Sequence, residues 1–176
     1  MDEFGKLGDA GLQRQLIVLR AFIEALIVTN WQYLQIHPDT PSLYEIAPRY
    51  ALKARARERD TWQDLPETYA KGFGDCKDLS AIRCAELRRD GCKEAHPFIR
   101  IARYIDPEKK RPPLIVHHVQ VVTGYGQLTD FPEIEDPSAI LGMPKTVSYR
   151  DLAAEPPAAG IPHARWGALD WARMST

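Results

Sequence analysis

Gly72-Phe73-Gly74-Asp75-Cys76-Lys77-Asp78-Leu79 is the stretch from which the rest of the chain is read. Two glycines lead into an Asp and a Cys, and an amphipathic run follows. Cys76 to Arg89 reads as a helix: Leu79, Ile82, Ala85 and Leu87 supply an apolar side, and Gly91 marks the stop. Asp75 is a good N-cap, with Asp78 as its partner in the first turn. Cys76 then opens the helix, beside unpaired backbone N–H groups and the positive end of the helix dipole. Such a position favours a thiolate, and the thiolate is the nucleophile. Gly72 and Gly74 are expected to let a substrate approach the sulfur closely. The plainer reading of a free cysteine is a small buried hydrophobe.

The 176 residues fit one domain over 1–145, with N-terminal helices in 10–60, a core in 61–143, and a Pro/Ala-rich extension over 146–176 docked on it. Hydrophobic residues are 44% of the chain, enough for a core, and the formal net charge of −1 argues against a general nucleic-acid binder. The basic patches, Arg55, Arg57 and Arg59 in one place and Lys109 to Arg111 in another, are short and read as solvated faces. No run approaches the ~18 apolar residues of a membrane span. The acidic start (Asp2, Glu3) lacks a signal pattern, so a soluble protein made in the cytoplasm is expected. The cysteines number 3, with no framework spacing. Cys76 and Cys84 on one helix would stand about 12 Å apart, too far for a disulfide or a shared zinc.

Leu12, Leu16, Leu19, Ile23, Leu26 (or Ile27), Asn30, Trp31 and Leu34 recur at helical steps, a core-packing stripe. Leu26-Ile27-Val28 widens it, which suits full burial or a docking surface. His37 to Pro41 breaks the chain, and Ser42 caps a short helix ended by Pro48. Pro66 starts another helical turn, and Trp62 and Tyr69 read as packing residues. After the Cys76 helix, Phe98 to Tyr104 and Leu114 to Val122 read as strands. Gly124-Tyr125-Gly126 reads as a turn, with Gln127 to Phe131 returning as a third strand. Beyond Pro144, Val147 to Leu152 makes one short element with Ser148 as a helix cap, and Trp166 and Trp171 anchor the tail. Helices first and antiparallel strands after give an α+β class, the Cys-bearing helix packed on a small sheet.

A thiolate needs a base, and the base needs a group to orient it. Strand alternation puts Val116, His118, Gln120 and Val122 on one face and Ile115, His117, Val119 and Val121 on the other. His118, beside polar Gln120, is the base candidate. His117 suits packing or an edge with its tip in water. A metal centre through His96, His117 and His118 is disfavoured, because adjacent histidines on a strand point oppositely.

These residues resemble the transglutaminase-like, papain-like cysteine-hydrolase superfamily. The likeness rests on Gly74-Asp75-Cys76-Lys77-Asp78, Ala85-Glu86-Leu87-Arg88-Arg89-Asp90-Gly91, His118-Val119-Gln120-Val121-Val122 and Glu135-Asp136-Pro137-Ser138. It covers roughly Trp62 to Met143, and the ending with Leu141-Gly142-Met143 is familiar from bacteriophage and prophage proteins. The resemblance implies a Cys-His-Asp triad of Cys76 as nucleophile, His118 as base and Asp136 as orienting carboxylate, with Asp130 the alternative third member. It also implies a thiol hydrolase or acyl transferase acting on an amide, peptide or ester bond through an acyl-enzyme, with no cofactor. Gln120 stands where the family usually has an aromatic residue. The oxyanion donors expected are the Cys76 N–H and a second from Trp62–Gly74. The rival reading, with phage structural proteins as partners, is a catalytically silent domain that serves as an assembly protein incorporated in the phage particle.

A hairpin turning tightly at Gly124 would put His118 opposite Asp130. Pro132 argues against that ladder, and Asp136 matches the family's Asp-Pro position, so Asp136 is preferred.

Overall fold

The computed structural model describes residues 9–51, 61–104, 114–125, 132–143 and 149–154. In order, the elements are α1 (Asp9–Ile36), α2 (Leu43–Ile46), β1 (Arg49–Tyr50), α3 (Leu65–Lys71), β2 (Phe73–Gly74), α4 (Cys76–Arg89), β3 (His96–Tyr104), β4 (Leu114–Tyr125), β5 (Pro132–Glu135), α5 (Pro137–Ile140) and β6 (Tyr149–Ala154). Helices dominate the first half, and an antiparallel sheet of order β5-β4-β3-β6 follows. The class is α+β.

Local signals set α4. Asp75 is extended, and its carboxylate accepts the Lys77 N–H at 3.2 Å while Asp78 Oδ2 accepts the Asp75 N–H at 3.1 Å. Arg88 and Arg89 occupy the last turn, at the negative end of the dipole. Gly91 takes a left-handed φ of 100°, and the Cys92 N–H closes back on the Leu87 carbonyl at 2.8 Å. Asp78 does more than cap. Fully buried, it also accepts the Gln63 N–H on Oδ1 at 3.0 Å, which ties the segment before α3 to the start of α4. Asp78→Ala leaves both N–H groups without that acceptor. At ~1–3 kcal/mol for each buried donor orphaned, it is expected to cost about 2–5 kcal/mol, with Asp78→Asn costing less. Thermal melts of the two variants check this, and an unshifted Asp78→Ala melt would refute it.

Helix α1 lies against α4 and β3 and supplies Leu12, Leu16, Ile23, Ile27 and Leu34 to the core. Asn30 holds an inward place on this stripe, and its Oδ1 accepts the Leu65 N–H at the start of α3 at 2.8 Å. Trp31, expected on the core stripe, is 39% exposed, because the next residue along a helix is turned ~100° away from inward-facing Asn30. The run Leu26-Ile27-Val28 is not wholly buried: Ile27 points inward and Val28 is exposed. Ser42 and Glu45 form a reciprocal capping box at α2, and Ala47 ends that helix in a left-handed conformation before Pro48. Asp64 caps α3 with Pro66 in its first turn. Trp62 and Tyr69 pack against the core.

Two parts of the second half differ from expectation. Gly124 and Tyr125 do not turn: β4 runs through them, pairing Gly124 with Glu133 and Tyr125 with Pro132, with a register shift between Val122 and Gly124. Glycine here accompanies a bulge inside a strand, and proline stands at a strand's first residue, where no ladder is broken. The expected strand over 127–131, and Asp130 with it, lies outside the described residues. The element expected near 147–152 is a strand, β6, paired with β3, where a helix cap at Ser148 had been expected. Ser148 itself lies outside the described residues, as do Arg55, Arg57, Arg59, Lys109 to Arg111, Trp166 and Trp171.

A short parallel pair, β1 with β2, was not expected. The Arg49 N–H donates to the Gly72 carbonyl, the Ala51 N–H to the Gly74 carbonyl and the Tyr50 N–H to the Leu141 carbonyl, each at 2.9 Å. The chain before Cys76 and the exit of α5 are thereby held by one strand. No described helix is long and apolar enough to cross a membrane.

Candidate active site

Cys76 opens α4 at its first helical position and is half-buried. Its Sγ lies 3.8 Å from the His117 carbonyl, which accepts the S–H. Lys77, the next residue, is buried, ion-paired with Asp75 and 5.4 Å from the Trp62 ring centroid. That ion pair fixes the charges beside the helix start.

The sheet register brings the partners in. Val121 pairs with Glu135, so one further step puts Gln120 across from Asp136, and His118 lies on the same face two residues along. His118 Nε2 stands 2.8 Å from Asp136 Oδ2. Against an ionised carboxylate this nitrogen carries the proton and donates. Nδ1 is then the ring nitrogen not engaged by Asp136, and Cys76 lies near enough to the imidazole to raise its pKa. Asp136 is fixed at both oxygens: Gln120 Nε2 donates to Oδ2 at 3.1 Å and the Ala139 N–H donates to Oδ1 at 3.1 Å, capping α5.

Electrostatics follow from these contacts. Burial alone would lower the His118 pKa, but the hydrogen bond it donates to Asp136, the nearness of Cys76 and the charges of both outweigh it and raise it to about 9. Burial would raise that of Asp136, but the His118 hydrogen bond and charge, with the Ala139 and Gln120 donors, hold it below the usual carboxylate value.

The structure thus brings together Cys76, His118 and Asp136. His117 is exposed and faces away from Asp136. His96 is engaged with the Glu94 carbonyl at 2.7 Å. No group of side chains that would hold a metal ion occurs among the described residues. Each of the two glycines has a place in the fold. Gly72 ends α3 with a left-handed φ of 69°. At Gly74 a Cβ would lie 3.2 Å from both Leu79 Cδ2 and Thr68 Cγ2, inside the packing. Gln120 belongs to the site, as its polarity among β-branched neighbours signalled. The N–H of Cys76, the expected oxyanion donor, stands at the start of α4. In the segment before it, Gln63 and Thr68 are buried.

The other cysteines sit differently. Cys84 is fully buried, which pushes its thiol pKa up. Cys92 is half-buried with its Sγ donating to the Thr123 carbonyl at 2.8 Å. Brief iodoacetamide treatment is expected to modify Cys76 first, then Cys92, with Cys84 protected, as read by peptide mass mapping. Faster modification at Cys84 or Cys92 would count against the site. The chain matches no family model, no curated protein and no solved structure.

Proposed function

We propose that the protein is a cysteine-dependent hydrolase or acyl transferase of transglutaminase-like kind, acting on an amide or ester carbonyl of a peptide or protein. The observation that carries the reading is His118 Nε2 standing 2.8 Å from the Asp136 carboxylate, on an imidazole whose pKa the neighbouring Cys76 helps to raise. The α+β order, with a cysteine opening a helix against a histidine strand, supports a transglutaminase-like core.

The chemistry runs as two acyl transfers. His118 holds the proton of Cys76, and the thiolate attacks the carbonyl carbon. The oxygen of the tetrahedral intermediate takes the negative charge and faces the Cys76 N–H at the helix start. Its collapse breaks the bond to the leaving amine or alcohol, which takes the proton from His118 and departs. The thioester left on Cys76 is then attacked by water or an amine, with neutral His118 removing the proton from the incoming group. Asp136 holds the imidazole's orientation and offsets its positive charge throughout.

Ammonia release from glutaminyl peptides, hydrolysis of activated esters and the intact mass of the protein test the reading. An acyl adduct mapped to Cys76 is expected. No adduct and no turnover across both substrate classes, with Cys76 alkylated no faster than Cys92, would leave a catalytically silent domain.

The pH dependence has a definite sign. His118 must be protonated for the first step, and its pKa is raised from 6.5 to about 9. Activity is expected to fall as pH rises through about 9, read from initial rates. Stability follows the same direction: the His118 contribution is complete below pH 6.5 and lost as pH climbs through about 9. The Asp136 contribution runs oppositely, present at neutral pH and lost in acid.

A further inference from the structure

Asp136 is delivered by a short edge strand, and the residue before it is gripped from α4. Arg83, two turns along α4 from Cys76 by ~3.6 residues per turn, reaches across to β5. Its Nε donates to Glu135 Oε1 at 2.8 Å and its Nη2 to Glu135 Oε2 at 3.3 Å. Its Nη1 donates to Glu86 Oε2 at 3.3 Å. Tyr44 of α2 donates its hydroxyl to the same Glu135 carboxylate, and the Tyr44 ring centroid lies 5.2 Å from the guanidinium. Glu86, fully buried, accepts the Leu43 N–H at 2.6 Å. Two elements, α2 and α4, therefore converge on the carboxylate next to Asp136.

We propose that Arg83 is a positioning residue for the candidate triad, its fork on Glu135 setting the distance between Asp136 and His118. The proposal rests on the cysteine-hydrolase reading. Side chains of successive strand residues point apart, so Glu135 is anchored on one side and Asp136 works on the other. Strand β5 has only four residues and meets β4 through a register shift, so its ladder alone gives little rigidity. A bidentate guanidinium–carboxylate pair fixes direction as well as distance, which a lysine cannot reproduce. A shift of ~1 Å at Asp136 would take its 2.8 Å contact with His118 out of hydrogen-bond range.

The test is the titration of the His118 ring by NMR, together with the rate of Cys76 alkylation against pH. The groups that face this ring are Asp136 from the start of α5 and Cys76 from α4. The variants are Arg83→Lys, the double Arg83→Met/Glu135→Met, which removes both charges, and Asp136→Asn as reference. In Arg83→Lys and in the double variant the His118 midpoint is expected to move down from about 9. The expected size is about 1 pH unit, toward that of Asp136→Asn, the scale of a weakened carboxylate neighbour. Adding Arg83→Lys to Asp136→Asn should move it no further. An unchanged midpoint in folded Arg83→Lys, with only the melting temperature lowered, would overturn the proposal. If Asp136→Asn itself leaves the midpoint in place, the triad reading falls, and the positioning role with it. Arg83→Lys keeps the charge between Glu86 and Glu135, so the result stands even where the double variant fails to fold.

Discussion

Cys76→Ala is expected to end hydrolysis and acyl transfer, with a loss on the order of 10⁴-fold or more, while the fold survives. The magnitude follows from the role: without the sulfur no covalent intermediate forms, and the remaining groups act on nothing. Survival of the fold follows from position. Cys76 is half-buried at the first residue of α4, whose start is held by Asp75 and Asp78. Losing one partly exposed sulfur should cost about 1 kcal/mol or less, small beside the loss of a fully buried side chain. Rates, adduct mass and a thermal melt measure both halves. An activity that persists would refute the mechanism. A melt lowered by many degrees with Cys76→Ala would place the residue in the core.

Asp136→Ala is expected to lower activity by about 10²–10⁴-fold, the range that general acid–base arrangements contribute. Three losses coincide. The carboxylate no longer orients His118, from which it stands 2.8 Å, nor offsets its charge. The His118 pKa then falls from about 9, because burial still acts downward while its strongest upward influence, the Asp136 hydrogen bond, is gone. The Ala139 N–H also loses its cap, worth about 1 kcal/mol in stability. Asp136→Asn separates these effects in part: its one oxygen accepts from the ring or from the Ala139 N–H, not from both, and the charge is lost. Its activity should lie between wild type and Asp136→Ala. Equal activity in all three would remove Asp136 from the mechanism. A shifted melt with unchanged rates would reduce it to a helix cap.

What was legible in the sequence was what local chemistry decides. The limits of α4 follow from Asp75, Asp78 and Gly91, which act within a turn of themselves. Asp136 was reached through the family resemblance of Glu135-Asp136-Pro137-Ser138, and its second role, capping α5 ahead of Pro137, is one that an N-cap followed by proline announces locally. The hairpin was misread at Gly124. A glycine in a β-branched run signals a bulge as readily as a turn, and only the partner strand tells which. Asp130 had been weighed on the strength of that turn, and β4 does not turn there. Strand β6 was hidden for a related reason: its pairing with β3 is non-local, and a Pro/Ala-rich neighbourhood carries no strand signal of its own. Arg83 and Glu135 are 52 positions apart, so no spacing rule connects them.

The order β5-β4-β3-β6 bears on how the molecule avoids its own copies. A sheet's outermost strand presents a free row of donors and acceptors, a template on which another chain can add. At one border that strand is β5, only four residues long, opening on proline and skewed by the shift beside Gly124. Brevity, a missing N–H and a bulge all blunt it. At the other border, nine-residue β3 would stand open without β6. Every side chain of the candidate triad precedes β6 in the chain. With β6 in place, the border left open is a six-residue strand whose pairing carries a register shift, a shorter and less regular template than the nine-residue strand it covers.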